Sequence, residues 1–146
     1  MWRTLTEADI LGVLNASETA AYKVAAKSRT QDVLADAIRG VVNQCRGYIA
    51  DHAANRLAEG VTLPERTHLS ALHIIRVEII TRLDMEVSKD RADAKRDAIR
   101  FFERVSEGLV GIEQPTGAVD DTGSAPMMKT GSSRERMATR EKLSGL

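Results

Sequence analysis

A single cysteine, Cys45, stands in a chain of 146 residues. One thiol forms no internal disulfide and no cysteine-rich zinc site. Net charge is missing as well: Lys+Arg and Asp+Glu number 21 each, so the formal charge is zero. Proteins that bind nucleic acid by neutralising phosphates carry a basic excess, so contact with DNA must come from a local patch. No run of apolar residues approaches the roughly 18 that a membrane span needs, and no membrane partner is expected. The opening Met1-Trp2-Arg3-Thr4 lacks an apolar core, so no secretory leader is expected either. The composition describes a soluble helical domain with room for one core and is silent on activity.

The common catalytic motifs are also lacking. There is no G-x-S-x-G, no glycine-rich phosphate loop and no G-K-[ST]. His68 and His73 are five apart, which turns them about 140° from each other on a helix. Paired ligands on one helix need a spacing of three or four. Glu65 and His68 have the Glu-x-x-His spacing of di-metal bundles, but no second pair accompanies them. A surface salt bridge at a helix start is the expected role. His52 flanks an apolar face and reads as a packed residue. Cys45 lies within an apolar stripe and reads as a small buried hydrophobe. No catalytic residue, metal or cofactor is expected.

What is present is helical periodicity. Residues 1–110 hold five Gly and one Pro, whereas 111–146 hold five Gly and two Pro in a third of that length. The later segment has few branched apolar residues to offset its ordering entropy. Composition therefore divides the chain into a folded domain, 1–110, and an extended C-terminal arm, 111–146, ordered mainly by partners. No stretch of 1–110 alternates as a half-buried strand would.

Thr6 with Asp9 resembles a capping box and opens a short helix ending near Leu14. A second short helix covers about Glu18–Ala26. Thr30 caps a long helix over about Gln31–Ala58, with Leu34, Ile38, Val41, Cys45 and Ile49 on its apolar face and Gly60 as the C-cap. Pro64 precedes a helix over about Glu65–Met85. Its stripe is Leu69, Leu72, Ile75, Ile79, Ile80 and Leu83. Ser88 caps the last helix, Lys89–Glu107, with Ala94, Ala98, Phe101, Phe102, Val105 and Leu109 inward and Gly108 at its end. The expected fold is all-α: a small bundle of two short N-terminal helices and three longer ones.

Several residues stand out as interaction candidates. Arg76 falls within the apolar stripe, where an unpaired guanidinium is costly. It must pair with a carboxylate from another helix or face a neighbouring subunit. Arg96, Arg100 and Arg104 form a ridge every four residues, interleaved with Asp93, Asp97 and Glu103. Gly40 and Gly47 lie seven apart on the outer side of the long helix, where small residues permit close approach of another helix. In the arm, Met127, Met128, Arg134, Met137, Leu143 and Leu146 suit adaptable binding. A competing reading is a small DNA-binding regulator with Thr30–Gly40 as its recognition helix. The zero net charge and the length of that helix speak against it.

Five stretches together resemble a known family: MWRTLTEADILGVL, AIRGVVNQCRGYIADHAANRL, GVTLPE, ALHIIRVEIITRL and AIRFFERVSEGLVGI. Their order and spacing resemble the Mu-like phage head–tail connector (adaptor, or neck) proteins over about residues 1–112. The matching positions are Gly60, Leu63-Pro64, Arg76, Phe101-Phe102 and Gly108. The resemblance implies a structural virion protein of the neck, assembled in the host cytoplasm. It implies a homo-oligomeric ring, twelvefold like the portal, that extends the channel for genomic DNA without sequence-specific binding. The implied partners are the portal protein, met by the C-terminal arm, and the next neck or tail-terminator component.

Overall fold

The computed structural model describes residues 1–27 and 30–116, without the side chains of 30–32. The described chain forms a helical bundle, as the periodicity predicts. Its elements are β1 (Trp2–Arg3), α1 (Glu7–Val13), α2 (Ala16–Ala26), α3 (Thr30–Asp51), β2 (Leu63–Pro64), α4 (His68–Arg82) and α5 (Lys89–Ser106), with a single 3-10 turn at Glu65–Thr67. Residues 117–146, and with them most of the expected arm, lie outside the described residues.

The caps explain where the short helices start. Thr6 Oγ1 accepts the Asp9 N–H at 3.3 Å, and the Asp9 carboxylate accepts the Thr6 N–H at 2.8 Å. Asn15 and Glu18 repeat the arrangement at the start of α2, with both bonds at 2.9 Å. Each pair satisfies two backbone donors that a helix start leaves open.

The structure corrects the end of the long helix. α3 stops at Asp51 rather than Ala58. The Asn55 side-chain amide donates to the Ile49 carbonyl at 3.1 Å, and the Asn55 N–H donates to the His52 carbonyl at 2.9 Å. Arg46 then holds the loop against the helix, donating to the Thr62 carbonyl at 2.6 Å and the Ala58 carbonyl at 2.7 Å. Gly60 caps no helix; its φ of +73° serves the turn into β2. β2 pairs antiparallel with β1, Trp2 opposite Pro64 and Arg3 opposite Leu63. Two-residue strands are too short to show alternation, so this ribbon leaves no periodic signal.

α4 is the central helix. Ile74, Ile75, Val77, Ile79 and Ile80 are all buried, so it is apolar nearly all round. α5 packs antiparallel to it: Lys95 meets Glu78 at 3.0 Å, and Arg66 donates to the Gly111 carbonyl at 3.0 Å. Phe102 is fully buried, stacked on Tyr48 of α3 and edge-on to Phe101. Two predicted stripe residues fall outside the core. Leu69 is 61 % exposed and Leu109 is 67 % exposed. Leu69 lies in the first turn of α4. Leu109 follows Gly108, whose φ of +77° has already turned the chain off the helix axis.

The compact unit extends to Thr116. The Trp2 indole N–H donates to the Glu113 carbonyl at 2.7 Å. The Gln114 side chain accepts the Arg56 N–H at 3.0 Å and donates to the Asn55 side chain at 3.3 Å. Val110 and Ile112 pack against the core. Residues 111–116, which composition places in the arm, thus form a strap on the domain.

Candidate functional site

The predicted interaction residues occupy different parts of this bundle. α3 runs unbroken through Gly40 and Gly47, and both are exposed. A β-carbon added to either would meet nothing within 4 Å. The outer side of α3 is therefore open to an approaching element at these two points.

Arg76 departs from the expected carboxylate pairing. Its Nη1 donates to the Val13 carbonyl at 3.2 Å, at the end of α1, and its buried Nε has no partner. A carbonyl satisfies one donor without cancelling the charge. The partial burial of His73, and then the charge of Arg76, lowers the His73 pKa below the usual imidazole value. Arg76 ties α1 to α4 across 63 residues of chain.

The α5 ridge is largely balanced by its own helix. Arg96 lies 3.1 Å from Asp93 and 3.8 Å from Asp97, and Arg100 lies 3.9 Å from Asp97. Such exposed pairs contribute little to stability. They also leave Arg96 and Arg100 with little net charge for a partner. Arg104 differs: it is exposed, and no carboxylate pairs with it among the described residues.

The histidines and the cysteine are structural. The expected surface role of His68 is corrected: it is 5 % exposed, with Nε2 3.0 Å from the Leu63 carbonyl. It therefore pins β2 to the start of α4. His52 is half-buried against Gly108. Cys45 is fully buried, and burial pushes its thiol up to about 12. Among the described residues, no three His, Cys, Asp or Glu side chains gather as a metal site. Met127, Met128, Arg134, Met137, Leu143 and Leu146 lie outside the described residues.

Two open grooves were not foreseen from sequence. One, of about 450 Å³, runs between α3 and α4 and is lined by Val33, Ala37, Gly40, Val41 and Arg82. The other, of about 570 Å³, is lined by Ala21 and Val24 of α2 with Arg82, Leu83 and Asp84. They share Arg82. Val24 is 72 % exposed, although it lies on a helix beside the buried Tyr22 and Ala25. Asp84, with φ +54°, sets the turn that forms the second groove's rim.

Sequence reasoning also missed a buried charge. Glu18 is 1 % exposed, and its carboxylate pairs with Arg91 of α5 while capping α2. The Asn15-x-x-Glu18 spacing is that of a capping box, but nothing in the sequence marks the partner 73 residues away. In the comparisons with known proteins, no family model, curated protein or solved structure matches this chain.

Proposed function

We propose that this chain is a structural, non-enzymatic subunit of a tailed-phage neck: a head–tail connector that forms a ring beneath the portal. In this reading the ring continues the channel for genomic DNA without reading its sequence. It binds the portal on one side and the next neck or tail-terminator component on the other. The ring carries about twelve copies, following the portal.

One observation supports this reading most. The five stretches that carry the resemblance touch one another in the bundle. The opening stretch pairs with the Gly60–Pro64 turn through Trp2–Arg3 and Leu63–Pro64. The internal Arg76 of the apolar helix reaches back to Val13 of the opening stretch. The paired aromatics of α5 meet Tyr48 of the long helix, and Gly108 meets His52. A closed ring also needs two unlike faces on each copy, and the open Gly40/Gly47 side of α3 suits one of them.

The test is the mass of the full chain, by light scattering, alone and mixed with its portal. A ring-sized complex with the portal is the expected result. A chain that ignores the portal overturns the reading.

A further inference from the structure

The strap of residues 111–116 lies on the domain as a bound peptide would. Gly111, Glu113, Gln114 and Thr116 are exposed, while Ile112 packs against the core. Two of its main-chain carbonyls are held from below: that of Gly111 by the Arg66 guanidinium at 3.0 Å and that of Glu113 by the Trp2 indole at 2.7 Å. They are two residues apart, which is the repeat of extended main chain. Pro115 favours the same extended conformation at Gln114 before it.

The anchors belong to three separate elements, and each is fixed without help from the strap. Trp2 is part of the ribbon with β2, and Arg66 sits in the 3-10 turn before α4. The loop that carries Asn55 and Arg56 is held by Arg46 and by the bonds of Asn55 to Ile49 and His52. A surface preorganised in this way pays little to receive a chain. The bonds to the strap all lie at exposed positions, and segments held so open locally at low free energy.

The contacts also select among sequences. A β-carbon on Gly111 would meet nothing within 4 Å, so the first position admits any side chain. The second, Ile112, is apolar. The third, Glu113, is used through its carbonyl. The fourth is read twice: Gln114 Oε1 accepts the Arg56 N–H at 3.0 Å, and its Nε2 donates to Asn55 Oδ1 at 3.3 Å. Asn55 Nδ2 donates to the Ile49 carbonyl at 3.1 Å, which fixes the end of the Asn55 amide that faces Gln114. A carboxylate of the same shape would set oxygen against oxygen, so the site distinguishes Gln from Glu.

We infer that this surface is a receptor for an extended peptide of the pattern x-apolar-x-Gln-Pro, that the strap fills it as an autoinhibitory contact, and that a partner protein presenting such a segment binds by displacing the strap. Asn55 and Arg56 determine its specificity. The inference stands apart from the connector reading and holds or fails without it.

The experiment uses the full chain carrying Gln114→Glu, which disables the strap and leaves the receptor intact. Thermal unfolding checks that it folds, and Ile112→Ser provides a second strap-released form. Trp2 is the only tryptophan, so its emission reports the site directly. In both variants the emission is expected to shift to the red, and the Arg56 amide to exchange about tenfold faster or more. The probe is a synthetic peptide of residues 111–116, acetylated and amidated. It is expected to reverse both changes, whereas the same peptide carrying Gln114→Glu is expected to bind about tenfold more weakly or worse. Variants with unchanged emission and exchange overturn the inference, as does a peptide that restores neither or a pair of peptides that bind alike. A wild type that dimerises and is returned to monomer by the peptide makes the occupant a second copy, and overturns the assignment to another protein.

Discussion

The His52 imidazole occupies the space that a β-carbon on Gly108 would need. Gly108 also has a φ of +77°, in the left-handed region that side chains rarely adopt. Gly108→Ala therefore meets two obstacles, one in the backbone and one in the ring beside it. The left-handed conformation alone costs roughly 1–2 kcal/mol, and displacing His52 adds to it. Urea unfolding is expected to show a loss of about 2 kcal/mol or more. Adding His52→Ala to Gly108→Ala is expected to recover part of that loss. Full additivity of the two substitutions would show that the ring is not the obstacle.

The buried Glu18 carboxylate depends on Arg91. Removing one member of a buried pair leaves an uncompensated charge, at a cost of about 3 kcal/mol or more. Arg91→Met is expected to lose that much in chemical denaturation. Arg91→Met combined with Glu18→Gln is expected to lose less than the sum of the two, because the double variant buries no orphan charge. The Asn15 cap survives in Arg91→Met, so the helical circular dichroism of α2 is expected to persist below the transition.

Asp9 makes stability respond to acid. The Arg3 guanidinium, 2.7 Å away, and then the Thr6 N–H and hydroxyl hold its carboxyl well below the usual carboxylate range. A carboxyl lowered in the folded state stabilises the fold above its unfolded pKa, about 3.9. That contribution fades as pH falls from there through the lower folded value. Wild type is expected to exceed Asp9→Asn in thermal stability at pH 7. The gap is expected to narrow steadily as pH falls below about 4. A gap independent of pH would assign the effect to capping alone.

Local signals were legible wherever local chemistry decides the structure. Thr6 with Asp9 and Gly108 mark real helix ends, and the Leu34–Ile49 stripe of α3 is the side that packs inward. The misreadings turn on contacts and turns that periodicity does not show. The apolar pattern does not mark the end of α3 at Asp51; Asn55 and Arg46 capture carbonyls in and beyond the helix there. Leu69 and Leu109 fit their stripes by phase and are nonetheless exposed, Leu109 because the chain turns at Gly108. For the candidate site, Gly40 was readable as a small residue on an outer face. Arg82 reads in sequence as an ordinary surface charge, and only the fold places it between two grooves.

The strap formed by residues 111–116 also determines when the domain can close and how it carries load. Its bond from Trp2 to Glu113 spans 111 residues, and those from Arg66 and Arg56 span 45 and 58. Contacts of such separation form late, because the intervening chain must be ordered first. During synthesis these anchors therefore wait for nearly the whole domain to emerge, whereas the ribbon needs only residues up to Pro64. In the finished protein, tension applied beyond Thr116 falls first on the strap and its anchors at residues 2, 56 and 66. α5 lies behind them and is strained only after they yield.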